Sequence, residues 1–418
     1  MTHYYDPMFY LCSAEMPFTI RLETILKDPI DGEALTLAAN QAIRRYPYFA
    51  VQLREENGEL ITVPNERPII VFRGDKPCPL GGKEVNFHVQ ALSYVGSEIN
   101  FYVSHVITDG CGYFPYVKTV LYYYLCRRYD TVLDPTGILL ADAPFFPDEL
   151  GDPYPEEAMR TAVPLSKPRK KEYFRLCDGG YVTDGRRTVF RFRVSEDEFQ
   201  RFNYDNDGSP CSLVSSLMTK AIWSVHPDET RDIVSAVSFN MRPALGNEHS
   251  YRMVCSALPL RYPNTLRDAE ISRLCTCSRG TVSLLREPDN VLYYAEQKRR
   301  SLEALLRLPD VRSKKERLGK EALADSVDNT FSVSYVGKTG LGSIEPYIEA
   351  MYNCTDGSTY KTAFLEINSI NGMFYIALIQ GFSSDVYYRA FLKQLEANGL
   401  SYEEMGVMPL GTPDMLLP

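Results

Sequence analysis

The stretch V-S-H-V-I-T-D-G-C-G, residues 103–112, holds the side chains best suited to chemistry in this sequence. At neutral pH an oriented imidazole accepts a proton from an alcohol, amine or thiol at small energetic cost, so His105 is a candidate general base. Asp109 could hold the loop or the imidazole tautomer, and Gly110 leaves room for a substrate and admits a positive φ. The same pattern also fits an ordinary polar turn in which Asp109 only caps a helix.

The flanking residues predict a strand before this decapeptide and a helix after it. Residues 98–104 alternate apolar and polar side chains, as in a strand with one solvated face. Apolar residues then recur at helical spacing over residues 114–125. We therefore expect His105 at the end of a strand and Asp109 at the start of a helix, which is a rigid place to expose a catalytic group.

The composition is that of an ordinary globular protein, with 44% apolar and 24% charged residues in a chain of 418. The net charge of −9 argues against a nucleic-acid partner, because phosphates require a basic surface. No apolar run approaches the ~18 residues of a membrane span, and residues 1–6 lack the pattern of a signal peptide. These features predict a cytoplasmic protein without a membrane span.

Ten cysteines are scattered along the chain without the spacing of a disulfide framework, so we expect most to be buried thiols. Cys275 and Cys277 form the one close pair. No second pair or histidine lies at zinc-finger spacing, which favours a core or helix-surface position over a metal site.

Hydrophobic patterning predicts two α/β units. The first unit consists of a helix capped by Asp31 that ends near Pro47, followed by strands at 50–55, 60–63 and 85–92 and by the strand that leads to His105. The second unit consists of a strand at 188–194, helices starting at Ser195 and Ser209, a strand at 233–239, a hairpin of 364–370 with 373–379, and a helix at 385–397.

Residues 132–170, between these units, contain seven of the 27 prolines. Proline removes backbone donors that helices and sheets need, so this segment is predicted to be a lid, crossover or linker. A basic cluster at 167–171 ends it. A solvated linker end is favoured there over a contact with a phosphate or a carrier protein.

Residues 104–110, S-H-V-I-T-D-G, resemble the H-H-x-x-x-D-G signature of the superfamily that contains chloramphenicol acetyltransferase, the condensation domains of nonribosomal peptide synthesis and the alcohol acyltransferases. Three later segments resemble further landmarks in the family's order: S-F-N-M-R-P at 238–243, L-P-L at 258–260 and F-S-V-S-Y-V-G at 331–337. Ser104 replaces the first histidine, and the D-F-G-W-G motif of the plant branch is absent. The resemblance spans nearly the whole chain and points to the bacterial and fungal branches.

This resemblance implies an α/β (α+β) fold of two chloramphenicol acetyltransferase-like lobes, each a mixed sheet with covering helices, around a central cleft or tunnel. We place the N-terminal lobe at 1–165, with the proline-rich crossover at about 132–170, and the C-terminal lobe at 171–418. The implied activity is that of a stand-alone acyltransferase. It would move an acyl group from a thioester of coenzyme A or a carrier protein to a hydroxyl or amine of a small-molecule acceptor, with no bound cofactor or metal.

Residue by residue, the resemblance makes His105 the general base and Gly110 the residue that leaves space for substrate. Asp109 would be structural and paired with an arginine, for which Arg242 is one candidate. Ser334 would line the substrate site or stabilise the oxyanion. The plain alternatives are a surface arginine before a proline and a strand serine facing solvent.

Two other classes of function stay open. The fold could serve as a non-catalytic, condensation-like binding or docking module, although the presence of His105, Asp109 and Gly110 argues against this. Alternatively, His105 and Asp109 could ligate a metal in a hydrolase. Ligation by residues four apart requires both on one helix, whereas the predicted helix begins only near Asp109.

Overall fold

The computed structural model describes residues 10–12, 17–75, 78–155, 172–180, 186–324, 329–356 and 362–417. The basic cluster at 167–171 and the N-terminal residues 1–6 lie outside the described residues. The strands are β1 (Thr19–Leu26), β2 (Val51–Glu56), β3 (Glu59–Pro64), β4 (Val71–Arg73), β5 (Gln90–Val95), β6 (Glu98–Ser104), β7 (Thr188–Ser195), β8 (Ile233–Asn240), β9 (Cys255–Tyr262), β10 (Phe331–Lys338), β11 (Ile348–Asp356), β12 (Ala363–Ile370), β13 (Met373–Gln380) and β14 (Glu403–Pro409).

The α-helices of more than four residues that the structure describes number eight. They are α1 (Gly32–Ala42), α2 (Gly110–Arg128), α3 (Glu196–Asp205), α4 (Pro210–Val225), α5 (Ile271–Leu285), α6 (Pro288–Leu306), α7 (Val311–Ala324) and α8 (Val386–Ala397). None of them is both long and apolar enough to cross a membrane.

The first sheet has the strand order β11-β1-β6-β5-β4. Helices α1 and α2 pack on it, and Leu35, Ala38 and Ala39 of α1 are fully buried against this core. Each strand pair in this sheet is antiparallel except β4 with β5. This layer positions the end of β6, from which His105 emerges.

The second sheet has the strand order β14-β7-β13-β12-β10-β8-β9. Strand β10 runs parallel to β8 and β12, while the remaining pairs are antiparallel. Helices α4, α5 and α8 supply apolar side chains to the core on this sheet. The expected α/β architecture of two mixed sheets with covering helices is therefore confirmed.

The second half of the chain contributes strands to both sheets. Strand β11 follows β10 of the second sheet, yet it pairs with β1 at the edge of the first. The first sheet is therefore completed by a strand from far along the chain. Thr355 of β11 pairs with Ile20 of β1, more than 300 residues before it. The lobe boundaries at 1–165 and 171–418 stay a prediction.

Local signals predicted several element boundaries. The side chains of Asp31, Ser195 and Ser209 accept backbone N–H groups at the starts of α1, α3 and α4, as expected of N-caps. The β12–β13 hairpin turns through Asn371 and Gly372, whose φ values are 49° and 70°. These predictions are confirmed because each depends on residues close together in the chain.

The predicted strand at 85–92 is wrong in its first half. Residues 83–85 form a short 3-10 turn, and β5 begins only at Gln90. Asn86 and Phe87 have φ values of 54° and 65°, in the left-handed region, which interrupts extended backbone. Apolar patterning alone did not reveal this turn.

The described part of the proline-rich segment is a crossover docked on both lobes. Glu149 forms a buried ion pair with Arg45, at 2.7 Å, and accepts a hydrogen bond from the Tyr48 hydroxyl at 2.6 Å. On the other side, the Asn247 side-chain amide donates to the Pro153 carbonyl at 2.7 Å. Residues 132–155 thus connect the lobes through specific contacts.

A buried ion pair between the lobes joins Asp109, the N-cap of α2, to Arg242, which follows β8. The guanidinium donates to both carboxylate oxygens, at 2.8 and 3.0 Å, and both side chains are buried. The carboxylate also accepts the backbone N–H groups of Gly112 and Val254, each at 2.9 Å. Burial by itself raises the pKa of Asp109, but the Arg242 charge and these hydrogen bonds outweigh it and lower the pKa.

Every N–H group of the Arg242 guanidinium has a hydrogen-bond acceptor. Beyond Asp109 it donates to Ser250 O at 2.9 Å, to Arg252 O at 2.6 Å and to the Asn240 side-chain oxygen at 3.1 Å. The pair therefore fixes the start of α2 against the 250–254 segment of the second lobe.

Close backbone approach at this junction requires a glycine at position 112. A Cβ added to Gly112 would lie far inside van der Waals contact of the Tyr251 carbonyl oxygen and 2.6 Å from Thr108 Oγ1. That hydroxyl donates to the same carbonyl at 2.6 Å. The third residue of α2 must therefore lack a side chain for the two lobes to pack this closely.

We expect Asp109→Ala to destabilise the protein by about 3–5 kcal/mol, because it leaves a buried guanidinium unpaired. Arg242→Ala should cost a similar amount, and the double variant should cost less than the sum. Denaturant unfolding measures all three. Glu316→Ala, which removes an exposed helical ion pair with Arg312, is the control and should leave the midpoint unchanged.

The same pair also predicts a pH dependence. Since the pKa of Asp109 is lower in the folded protein, its contribution is fully present above the unfolded value of about 4 and is lost as the pH falls through the folded value. Asp109→Asn should therefore weaken the loss of stability on acidification. An unchanged acid profile in that variant would contradict the assignment.

Gly112→Ala should destabilise the protein by about 1–3 kcal/mol, since the new methyl group must displace the 250–254 backbone. Gly280→Ala is the matched control, because Gly280 lies inside α5 with open space around the added Cβ. That change should be neutral or stabilise by about 0.5–1 kcal/mol. Equal melting temperatures for the two variants would disprove the steric requirement at Gly112.

Candidate active site

His105 leaves the first sheet directly after β6 ends. Its backbone N–H donates to the Phe18 carbonyl at 2.6 Å, and its Nδ1 lies 2.8 Å from the Thr108 carbonyl oxygen. A carbonyl oxygen can only accept a hydrogen bond, so Nδ1 carries a proton. In the neutral imidazole, Nε2 then holds the lone pair that can take a proton from a substrate.

The imidazole borders a cavity of about 370 Å³ between the two sheets. His105, Gly110 and Ser334, three of the residues predicted for the site, line this cavity together. Asp109 also borders it, whereas Arg242 lies behind Asp109. Apolar side chains from both lobes form further parts of the wall, among them Ile20, Leu22, Phe114, Val237 and Leu258.

Asp109 does not orient the imidazole. Both of its oxygens are engaged by Arg242 and by two backbone N–H groups, so the carboxylate holds the start of α2 in place. The tautomer of His105 is set instead by the Thr108 carbonyl. Residue types could not have revealed this partner, because every residue has the same backbone carbonyl group, whatever its side chain.

Gly110 is the first residue of α2, and its φ is not positive. The possible need for a left-handed backbone at this corner is therefore wrong. An added Cβ would lie 3.4 Å from Val336 Cγ1 across the cavity, which is ordinary contact. What remains for Gly110 is the space that it leaves for a ligand.

Ser334 lies on β10 with its side chain on the cavity wall. Its register partner on the parallel strand β12 is Glu366, which lines the same cavity. The alternative of a serine that faces bulk solvent is not what the structure has. Glu366 carried no recognisable signal in the sequence, because a lone glutamate within an apolar strand has no motif around it.

Three cysteines from different elements also line the cavity: Cys111, Cys211 and Cys255. Cys111 is exposed and lines this space, and desolvation by the surrounding walls, together with the Asp109 charge, raises its pKa to about 11. Burial raises the pKa of Cys211 to about 12. Both groups are thiols rather than thiolates at neutral pH, which makes them poor nucleophiles.

The close pair Cys275 and Cys277 lies on α5, with Cys275 buried and Cys277 exposed. They point to different sides of the helix. Among the described residues, no group of three or more histidine, cysteine, aspartate or glutamate side chains could hold a metal. Joint ligation by His105 and Asp109 is disfavoured by geometry, because the Asp109 oxygens are already bound by Arg242.

No family model matches this chain, and no curated protein sequence matches it. Solved structures do. Polyketide synthase associated protein 5 from Mycobacterium tuberculosis aligns with a TM-score of 0.60 at 13% identity, over 93% of this chain and 95% of that one. F. sporotrichioides TRI101, complexed with coenzyme A and T-2, gives 0.59 at 12% identity, over 96% and 99%. The first condensation domain of the calcium-dependent antibiotic synthetase gives 0.57 at 12% identity, over 93% and 95%.

These alignments extend over almost the full length of each structure, so they concern both lobes and the cavity between them. At such low identity they establish the fold and no more. The chain therefore has the same two-lobed fold as TRI101 and this condensation domain, which is the fold that its sequence resemblance implied.

Proposed function

We propose that this protein is a stand-alone acyltransferase that moves an acyl group from a thioester to a hydroxyl or amine of a small-molecule acceptor. The observation that carries the proposal is His105, an imidazole of defined tautomer in the cavity between the lobes. The thioester would be that of coenzyme A or of a carrier protein. Coenzyme A is bound in the structure of TRI101, which has the same fold.

In this reaction, Nε2 of His105 accepts the proton of the acceptor while the acceptor oxygen or nitrogen bonds to the thioester carbonyl carbon. The tetrahedral intermediate then collapses, the carbon–sulfur bond breaks, and the imidazolium returns the proton to the departing sulfur. The Nδ1–H bond to the Thr108 carbonyl is kept throughout, which stabilises the transient positive charge on the ring.

Direct transfer fits the cavity better than a covalent acyl-enzyme. The pKa values of Cys111 and Cys211 are raised to about 11 and about 12, so neither thiol is ionised enough to attack the thioester. This favours direct activation of the acceptor by His105 over attack by either of these two thiols. The oxyanion requires a hydrogen-bond donor, commonly worth about 3 kcal/mol, and the Ser334 hydroxyl is our candidate.

The rival function is a binding or docking module that has the same fold without chemistry. It predicts that the cavity binds ligands but that no thiol is released from acyl-thioester donors. A screen of such donors against pooled alcohols and amines, with free thiol as the readout, separates the two functions.

His105→Ala should lower acyl transfer about a hundredfold or more with little change in melting temperature, because a general base acts in the transition state and adds little to the core. The control is His249→Ala, which removes an exposed imidazole bonded to Asp148 outside the cavity. Thiol release should then stay close to that of the unaltered protein. Normal transfer by folded His105→Ala protein would refute the assignment of the base.

Gly110→Val should leave stability nearly unchanged, because the backbone at this helix start is not left-handed and the first contact of a new side chain is with Val336. It should raise the apparent KM for long-chain acyl donors much more than for an acetyl donor, since the added methyl groups fill cavity space. Steady-state kinetics with an acyl-length series measures this. Equal effects on all donors would place the acyl chain elsewhere.

A further inference from the structure

Glu366 is a buried carboxyl in the cavity wall that the proposed mechanism does not use. It lies on β12 with 5% of its surface exposed, and its chain neighbours Leu365 and Ile367 belong to the core of the second lobe. The Glu366 side chain is on the opposite face of the strand and lines the same cavity as His105. A charged group in this position therefore faces the space that a substrate would occupy.

Two hydrogen bonds hold this carboxyl in one orientation. Thr355 on β11 donates its backbone N–H to one oxygen at 2.7 Å and its hydroxyl to the other at 2.9 Å. The contact spans the two sheets, since β11 belongs to the first and β12 to the second. Each carboxyl oxygen keeps a further lone pair, so the group is oriented but can still accept from a ligand.

In the described part of the chain, no cation pairs with Glu366. The other charged side chains on the cavity wall are Asp109, which Arg242 neutralises, and Arg286, which is exposed and forms no ion pair with Glu366. Burial without a counter-ion raises the pKa of Glu366 to about 7, although the Thr355 hydrogen bonds lower it in part. The protein thus maintains a buried carboxyl whose ionised form is costly until a positive group arrives.

Strand register places this carboxyl at some distance from the imidazole. Val103, two residues before His105, pairs with Ile20, and Ile20 pairs with Thr355. With strands ~4.8 Å apart, the main chain at Thr355 lies about 10 Å from that at Val103. A molecule that fills this cavity would therefore meet the Glu366 carboxyl and the His105 imidazole with different parts of its structure.

We propose that Glu366 binds a protonated amine of the acceptor, so that the acceptor carries both a nucleophilic hydroxyl for His105 and an ammonium group several bonds away. An ammonium group compensates the buried charge and donates to the free lone pairs of the carboxylate, which a neutral hydroxyl does less well. This inference rests on the proposed acyl transfer in one respect: it identifies the bound molecule as the acceptor of that reaction. The amine-binding site itself does not depend on it.

Binding is the direct test, because it needs no turnover. The probes are a series of straight-chain ω-amino alcohols and alkanols of matched length, in which a methyl group replaces the ammonium. Calorimetric titration at a pH above about 8 keeps the carboxylate ionised and an alkyl amine protonated. We expect the amino alcohol of the best length to bind about tenfold or more tightly than its alkanol.

Glu366→Gln should abolish this preference, because the amide keeps an oxygen for Thr355 but has no charge. Glu196→Gln is the matched control: Glu196 is also a buried carboxyl, bonded at 2.8 Å by Ser369 of the same strand, but it does not line the cavity. The Glu196→Gln protein should prefer the amino alcohol over the alkanol as strongly as the unaltered protein does. His105→Ala should lose acyl transfer and keep the preference, which separates the two proposals.

Three results would overturn the amine site. The unaltered protein could bind amino alcohols and alkanols equally at every length, it could bind neither up to the solubility limit, or folded Glu366→Gln could retain the preference. The first two results need no variant, so the proposal stays testable even if Glu366→Gln does not fold.

Discussion

The buried ion pair between Asp109 and Arg242 is the interaction on which the arrangement of the two lobes depends. Its members come from opposite lobes, and each is saturated: the carboxylate by backbone N–H groups, the guanidinium by carbonyl oxygens. Such a pair adds little net stability compared with apolar side chains, but it tolerates only one geometry, because any displacement leaves a charge unpaired. It therefore specifies how α2 meets the second lobe, and with it where the cavity forms.

Saturation of the pair has a chemical consequence for His105. A carboxylate that already accepts four hydrogen bonds cannot also hold the imidazole, so this task passes to the Thr108 carbonyl. A backbone carbonyl fixes the tautomer and stabilises the imidazolium as a dipole, without placing a second negative charge beside the ring. Position 109 thus acts on the architecture, and position 108 acts on the base. The loop between β6 and α2 supplies both within five residues.

The pairing of β11 with the first sheet also brings together residues that are distant in sequence, at another part of the cavity wall. Because β11 pairs with β1, Thr355 is brought to Glu366 on β12, and one carboxyl becomes bonded across both sheets. Among the described residues, the cavity wall then combines the His105 imidazole, two thiols with raised pKa values and one carboxyl, Glu366, that has no counter-ion. Apolar side chains from both lobes line the same cavity. The proposed acyl transfer and the proposed amine site use different parts of this wall.

The sequence by itself determined the features that depend on neighbouring residues. These include the strand, corner and helix around His105, the N-caps at Asp31, Ser195 and Ser209, and the β12–β13 hairpin. Its resemblance to a known superfamily extended this to the two-lobed fold and to the residues that meet in the cavity. Periodicity failed at residues 85–89, where a left-handed turn replaces a strand.

Only the tertiary structure decided which distant groups meet. The partner of the imidazole is a carbonyl, and the glycine under steric constraint at this corner is Gly112 rather than Gly110. The carboxyl that shares the cavity with His105 comes from a strand without a motif. Backbone groups carry no residue identity. Contacts such as that of Gly112 with Tyr251, or of Thr355 with Glu366, arise when two sheets are packed together, and spacing along the chain does not encode the direction from which a neighbour arrives.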